Sequence, residues 1–216
     1  MPTGAVITFS LNFLSALVAL LTSYYSYRVN RIVGNPVLGA ISIGFMLLGI
    51  GLAVEAGTSL ISGVTLVEIV AQRLLVLLAS YTYLTVQMIA YLVIAIGYAR
   101  AAYTSQAKAM APAVATAAAT TVAMNLFRYS LLSYFVALIL LAFVVFQGFL
   151  LRSRQSGGFS GTVLLAFSLV LLAHLLLLFS VVTVGTNLFL VGTLVQFLGF
   201  LSLLVFVVRS EVIGAG

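Results

Sequence analysis

The chain has 216 residues, 64% of them hydrophobic and 6% charged, with a net charge of +6 and a mean hydropathy of +1.32. No soluble domain of this length could hide so much apolar surface, so the composition excludes a water-soluble protein and predicts one all-α, polytopic membrane domain over residues 1–216. The nine basic residues stand singly or in pairs at the ends of apolar runs, which excludes the contiguous basic face that a nucleic acid needs and leaves membrane lipids as the expected partner of the positive charge.

Seven spans are predicted, at about 5–27, 36–56, 67–98, 110–127, 131–151, 162–184 and 188–208. MPTGAVITFS carries no basic residue ahead of the first apolar run, so no cleaved signal peptide is expected and the first helix should stay in the mature protein. Within that span Asn12, Ala16, Ala19, Ser23, Ser26 and Asn30 share one face by helical spacing. Small and weakly polar stripes of this kind let helices approach closely in lipid. Tyr24, Tyr25 and Tyr27, followed by Arg28 and Arg31, mark a water interface. Gly34-Asn35-Pro36 then reads as a turn, with Pro36 suited to the first turn of the next helix.

The second span is rich in glycine, at 39, 44, 49 and 51, which in a bilayer points to close packing. Glu55 falls in its last turn, and 57–65 reads as a short polar loop. The third span carries a polar seam. With Arg73 at zero, Ser80, Gln87, Tyr91 and Tyr98 fall within about 40° of it around a helix. Lipid offers no partner for such groups, so the seam should face a bundle or a wet cavity. Arg73, Ser80, Gln87 and Tyr91 are therefore the candidate ligand or cavity residues, and Glu55 is the candidate ion-pair partner of Arg73 across from the second span. Glu68, five positions from Arg73, lies about 140° away on the same helix and faces elsewhere.

The fourth span, APAVATAAATTVAM, is small and weakly hydrophobic, and it should pack against neighbours over most of its circumference, with Arg128 ending it. The fifth closes on Arg152 and Arg154. A turn at 155–161 leads to the sixth, which carries His174, and Gly185-Thr186-Asn187 is a tight link to the seventh. An odd number of spans puts the termini on opposite sides. With the N-terminus outside, Arg28, Arg31, Arg100, Lys108, Arg152, Arg154 and Arg209 face the cytoplasm against Arg73 and Arg128 outside, and the positive-inside rule selects that orientation. The expected location is the cell membrane.

Several chemistries are excluded. Without cysteine there are no disulfides, iron–sulfur clusters or thiolate metal sites. There is no aspartate, and no His/Glu cluster has metal-ligand spacing, so neither metal nor cofactor is expected. Gly158-Phe159-Ser160-Gly161 has the GxSG pattern of rhomboid-type proteases, but Ser160 and His174 fall on one helix about 21 Å apart. A serine and its base need about 3 Å. Ser160 is instead expected as a helix N-cap. Retinal needs a lysine within the bundle, usually on the last helix, and the last span has none. Paired histidine ligation of haem is impossible with one histidine; a His174/Met pair stays formally open, while His174 is expected as a polar residue bonded to a neighbouring helix.

The layout, with SYYSYRVNRIVGNP closing the first span and LGAISIGFMLLGIGLAVEA forming the second, resembles a group of prokaryotic, mostly archaeal, seven-helix membrane proteins. It is also distantly similar to the seven-helix input modules of some sensor kinases. That resemblance implies a sensing role, and with no output domain expected after Arg209 it implies a separate partner chain.

The leading expectation is a non-enzymatic seven-helix protein, either a receptor-like module or an accessory subunit working through a membrane-protein partner or a second copy of itself. The alternatives are a small-solute transporter or channel with a polar cavity along the third helix, and a subunit of a membrane redox complex.

Overall fold

The computed structural model describes residues 3–64, 69–102, 126–154 and 161–214, with side chains described at 6–60, 74–101, 129–152 and 161–210. Six helices fill these segments: α1 (Thr3–Val33), α2 (Pro36–Val64), α3 (Ile69–Ala102), α4 (Leu126–Arg154), α5 (Gly161–Thr183) and α6 (Thr186–Gly214). Among the described residues there is no strand. Each helix contains a stretch long and apolar enough to cross a bilayer, which takes about 20 residues, and the chain is a multi-pass helical membrane protein.

The fourth predicted span lies outside the described residues except for its end. There the structure differs from expectation, because Leu126 to Arg128 form the first turn of α4 and do not close a preceding helix. The 57–65 loop is also corrected, since α2 continues to Val64. The Thr58 hydroxyl donates to the carbonyls of Val54 and Glu55, and Ser59 donates to Glu55. Polar residues that reading by composition assigns to a loop thus satisfy themselves on the helix. The turn after α1 forms as expected, with Gly34 in the left-handed region at φ 68°. The Asn35 side-chain oxygen accepts from the Val37 amide at 2.9 Å and caps α2. Ser160 and the 155–160 turn lie outside the described residues.

The helices close a ring in chain order, each packed on the next and α6 on α1. Side-chain pairings give their directions. Ser23 and Ser42 exchange hydrogen bonds with each other's carbonyls at 2.8 and 3.0 Å, so α1 and α2 are antiparallel with Asn12 opposite Glu55. Tyr83 sits beside Gly51 and Ile94 beside Gly44, so α2 and α3 are antiparallel. Thr85 pairs with Tyr129, and Tyr98 lies beside Gly148, so α3 and α4 run parallel. Next, α5 reverses against α4, with Leu164 beside Gly148 and His174 beside Tyr134. Finally α6 reverses against α5, with Gly192 beside Leu177 and Gly199 beside Val170.

The small-residue stripe of α1 is the face set against α2: Asn12, Ala16, Ala19, Ser23 and Ser26 are all buried. Between α2 and α3 the helices approach so closely that a Cβ on Gly97 would come within 2.1 Å of the Ala40 Cβ. In lipid, where helices gain nothing by merely leaving water, such close packing is a main source of association. Phe45 of α2 meets Phe200 of α6 edge to face, ring centres 5.1 Å apart, and both rings are buried.

Candidate functional site

One of the largest polar assemblies in the described interior lies halfway along α5. His174 is fully buried, 13 residues from the start of its helix at Gly161, or about 20 Å from that end. Its Nδ1 lies 2.7 Å from the Val170 carbonyl oxygen, one turn back. A carbonyl can only accept, so Nδ1 carries the proton and Nε2 is left as an acceptor. Two groups of α3 donate to it: the side-chain amide of Gln87 and the Tyr91 hydroxyl, the latter at 3.2 Å. Tyr91 also stands edge-on to the imidazole with ring centres 5.1 Å apart, and Tyr134 of α4 does so at 6.2 Å. Three helices therefore meet on one imidazole.

Gln87 donates through its nitrogen, and its Oε1 is buried with no hydrogen-bond partner. An unpaired amide oxygen in an apolar interior costs on the order of 1–3 kcal/mol. The Gln147 Oε1 of α4 is in the same condition. Both oxygens are acceptors waiting for a donor.

A second group of polar side chains continues from this cluster toward the end of the bundle where α2 finishes. Gln196 of α6 donates to the Tyr83 hydroxyl at 3.3 Å, and Tyr83 lies two turns before Tyr91 on α3. Glu55 accepts from the Asn12 amide at 3.3 Å. Asn12 with Glu55, Gln196 with Tyr83, and Gln87, Tyr91 and Tyr134 with His174 are thus three polar groups set between neighbouring helices of the bundle.

Of the residues that the seam on the third span singles out, Gln87, Tyr91 and Tyr98 are buried and Ser80 is half-buried. Gln87 and Tyr91 come together on His174. Tyr98 instead packs edge to face on Phe167, 5.8 Å between ring centres. The side chain of Arg73 lies outside those described, and with it the proposed pair with Glu55; Asn12 is the partner found for that carboxylate. Sequence reading did not single out Tyr83 and Tyr134. The signal for Tyr83 was its place one turn before Gln87. Tyr134 lies three residues into the span predicted from 131, whereas α4 begins five residues before that span and carries this ring inward.

Both imidazole nitrogens are engaged by protein groups, and among the described residues no three His, Cys, Asp or Glu side chains gather to hold a metal. Chemically the cluster is a set of hydrogen-bond donors and acceptors centred on one imidazole. No known protein family, curated protein or solved structure matches the chain.

Proposed function

We propose that this chain is a seven-crossing, receptor-like membrane protein without catalytic activity, oriented with its N-terminus outside and C-terminus in the cytoplasm. It takes a small hydrogen-bond-donating solute at the Gln87, Tyr91 and His174 cluster and passes the change in helix packing to a partner chain in the membrane. The observation that carries the reading is the buried, unpartnered Gln87 oxygen beside the imidazole. A solute supplying an N–H or O–H there removes a standing cost, and sites of this kind sit between helices of bundles. Because His174 ties α3 and α5 together and touches α4, any rearrangement at the imidazole shifts three helices at once, which is what a sensing module needs.

Seven crossings are supported by the parallel course of α3 and α4, since the chain must return between them. The orientation is supported by charge: Arg28, Arg31, Arg100, Arg152 and Arg209 belong to the C-terminal ends of α1, α3, α4 and α6, which lie at one end of the ring.

A second reading, a small-solute transporter, is favoured by the run of polar groups from Asn12 and Glu55 to the centre, which has the form of half a path. Single cysteines at 80, 87 and 91 in this naturally cysteine-free chain separate the readings. Reaction with a water-soluble maleimide at 80 and 87 from the N-terminal side alone is the expected result. Reaction at 87 from both sides would establish the transporter. No reaction at 87 or 91 under any condition would mean dry helix packing and end the ligand reading.

A further inference from the structure

The arginine end of the bundle holds a crevice that the central cluster does not use. It lies between α1, α2, α5 and α6, has a volume of about 180 Å³, and is walled by Val29, Val37, Ile41, Val163, Leu203 and Val207. An apolar cavity of about 150 Å³ takes up benzene, so the space admits a stretch of hydrocarbon. Its mouth carries Val33, which is 62% exposed, and the polar side chains of Asn35 and Ser210. The crevice is thus apolar within, open at one side and polar at the level where a head group lies.

The end of the bundle that holds the crevice is basic. Arg28, whose guanidinium lies over the Tyr24 ring 5.9 Å from its centre, and Arg209 belong to the same helix ends as the wall residues Val29 and Val207. Arg152 reaches from the end of α4 over the first turn of α5, its Nη1 2.9 Å from where a Cβ on Gly161 would stand, two residues before the wall residue Val163. All three arginines are exposed. Glu55, the one acidic side chain among those described, belongs to the opposite end of the ring. An apolar slot at the basic end of the bundle, with Arg152 over the adjoining turn of α5, is complementary to one kind of molecule, an amphiphile with a hydrocarbon tail and an anionic head.

We propose that this crevice binds a single anionic phospholipid, with an acyl chain in the slot between α1 and α6 and the phosphate drawn to Arg152 and Arg209. Bound there, the lipid joins the first and last described helices and acts as a cofactor of packing at the cytoplasmic end.

The test titrates the full chain, purified in a neutral detergent, with dioleoyl phosphatidylglycerol, dioleoyl phosphatidylcholine or tail-free glycerol phosphate, reading thermal stability and bound lipid by native mass spectrometry. Phosphatidylglycerol should bind with one lipid per chain and raise the melting temperature, and the other two should not. Arg152→Gln and Arg209→Gln should each weaken it about fivefold. Val33→Trp, at an exposed position where the fold tolerates bulk, should block it while the lipid-free melting temperature stays unchanged. Equal responses to the two phospholipids would overturn the proposal, as would equal binding of glycerol phosphate, or lipid binding unaffected by Val33→Trp. A lipid-independent dimer that Val33→Trp separates would assign the crevice to a second copy and overturn it as well.

Discussion

His174 has its protonation fixed by a neighbour on its own helix. With Nδ1 committed to the Val170 carbonyl, the other nitrogen must accept, and Gln87 and Tyr91 are the groups that donate. Removing one partner strands the other. Gln87→Leu should destabilise the protein by about 1–3 kcal/mol, because the imidazole keeps only the more distant tyrosine, and His174→Leu should cost a similar amount by orphaning the glutamine. The Gln87→Leu/His174→Leu pair should recover part of that loss, with a coupling of about 0.5–3 kcal/mol in a double-mutant cycle read by thermal or denaturant unfolding in detergent. Additive losses would mean that the two side chains do not depend on each other. The seam that holds Gln87 and Tyr91 was legible from residue spacing, since lipid gives such groups no partner. Which residue answers them was not, because the meeting of α3 with α5 depends on a helix register that a separation of 87 positions leaves open.

Among the helices, contact is set by very small side chains. Gly97 faces Ala40 so closely that a methyl group would sit 2.1 Å from the alanine Cβ, and Gly97→Ala should push α2 from α3 at a cost of about 1–3 kcal/mol. Ala40→Gly in the same chain should restore most of it, and unchanged stability in the single variant would refute the contact. The two short links invite a matched pair of changes. Gly34 adopts φ 68° with open space around it, whereas in the link between α5 and α6 the left-handed residue is Val184, at φ 53° and 84% exposed. Left-handed geometry costs a residue with a Cβ about 1–2 kcal/mol. Val184→Gly should therefore raise the unfolding free energy by about 1 kcal/mol, and Gly34→Val should lower it by a similar amount; scanning calorimetry or a thermal shift assay decides both. Gly34-Asn35-Pro36 announces its turn because each residue suits its position. The second link was placed at Gly185 to Asn187, one residue late. There the helix ends when the Gly185 amide reaches back to the Ser180 carbonyl at 3.1 Å, which forces the reversed backbone onto a valine that no turn propensity would select.

Across the whole molecule, the seven crossings that we propose rest on the direction of two helices. Tyr129, near the start of α4, packs on Tyr81 and bonds to Thr85, so Leu126 stands level with about residue 80 of α3. From there to the end of α3 at Ala102 is about 22 residues, or about 33 Å of helix, close to the roughly 30 Å of a bilayer's hydrocarbon core. The chain leaves α3 at one end and takes up α4 at the other, with 23 residues, 103–125, between them. This predicts termini on opposite sides. A fluorescent or protease-cleavable tag added before residue 3 should be accessible only from outside sealed cells or right-side-out vesicles, and one added after residue 214 only from the cytoplasmic side. Tags on the same side would require α3 and α4 to be antiparallel, and would break the pairing of Thr85 with Tyr129 from which the parallel course is read. Tags on opposite sides with the N-terminus inside would keep the fold and overturn the assignment of the arginine end, and with it the cytoplasmic setting of the lipid crevice.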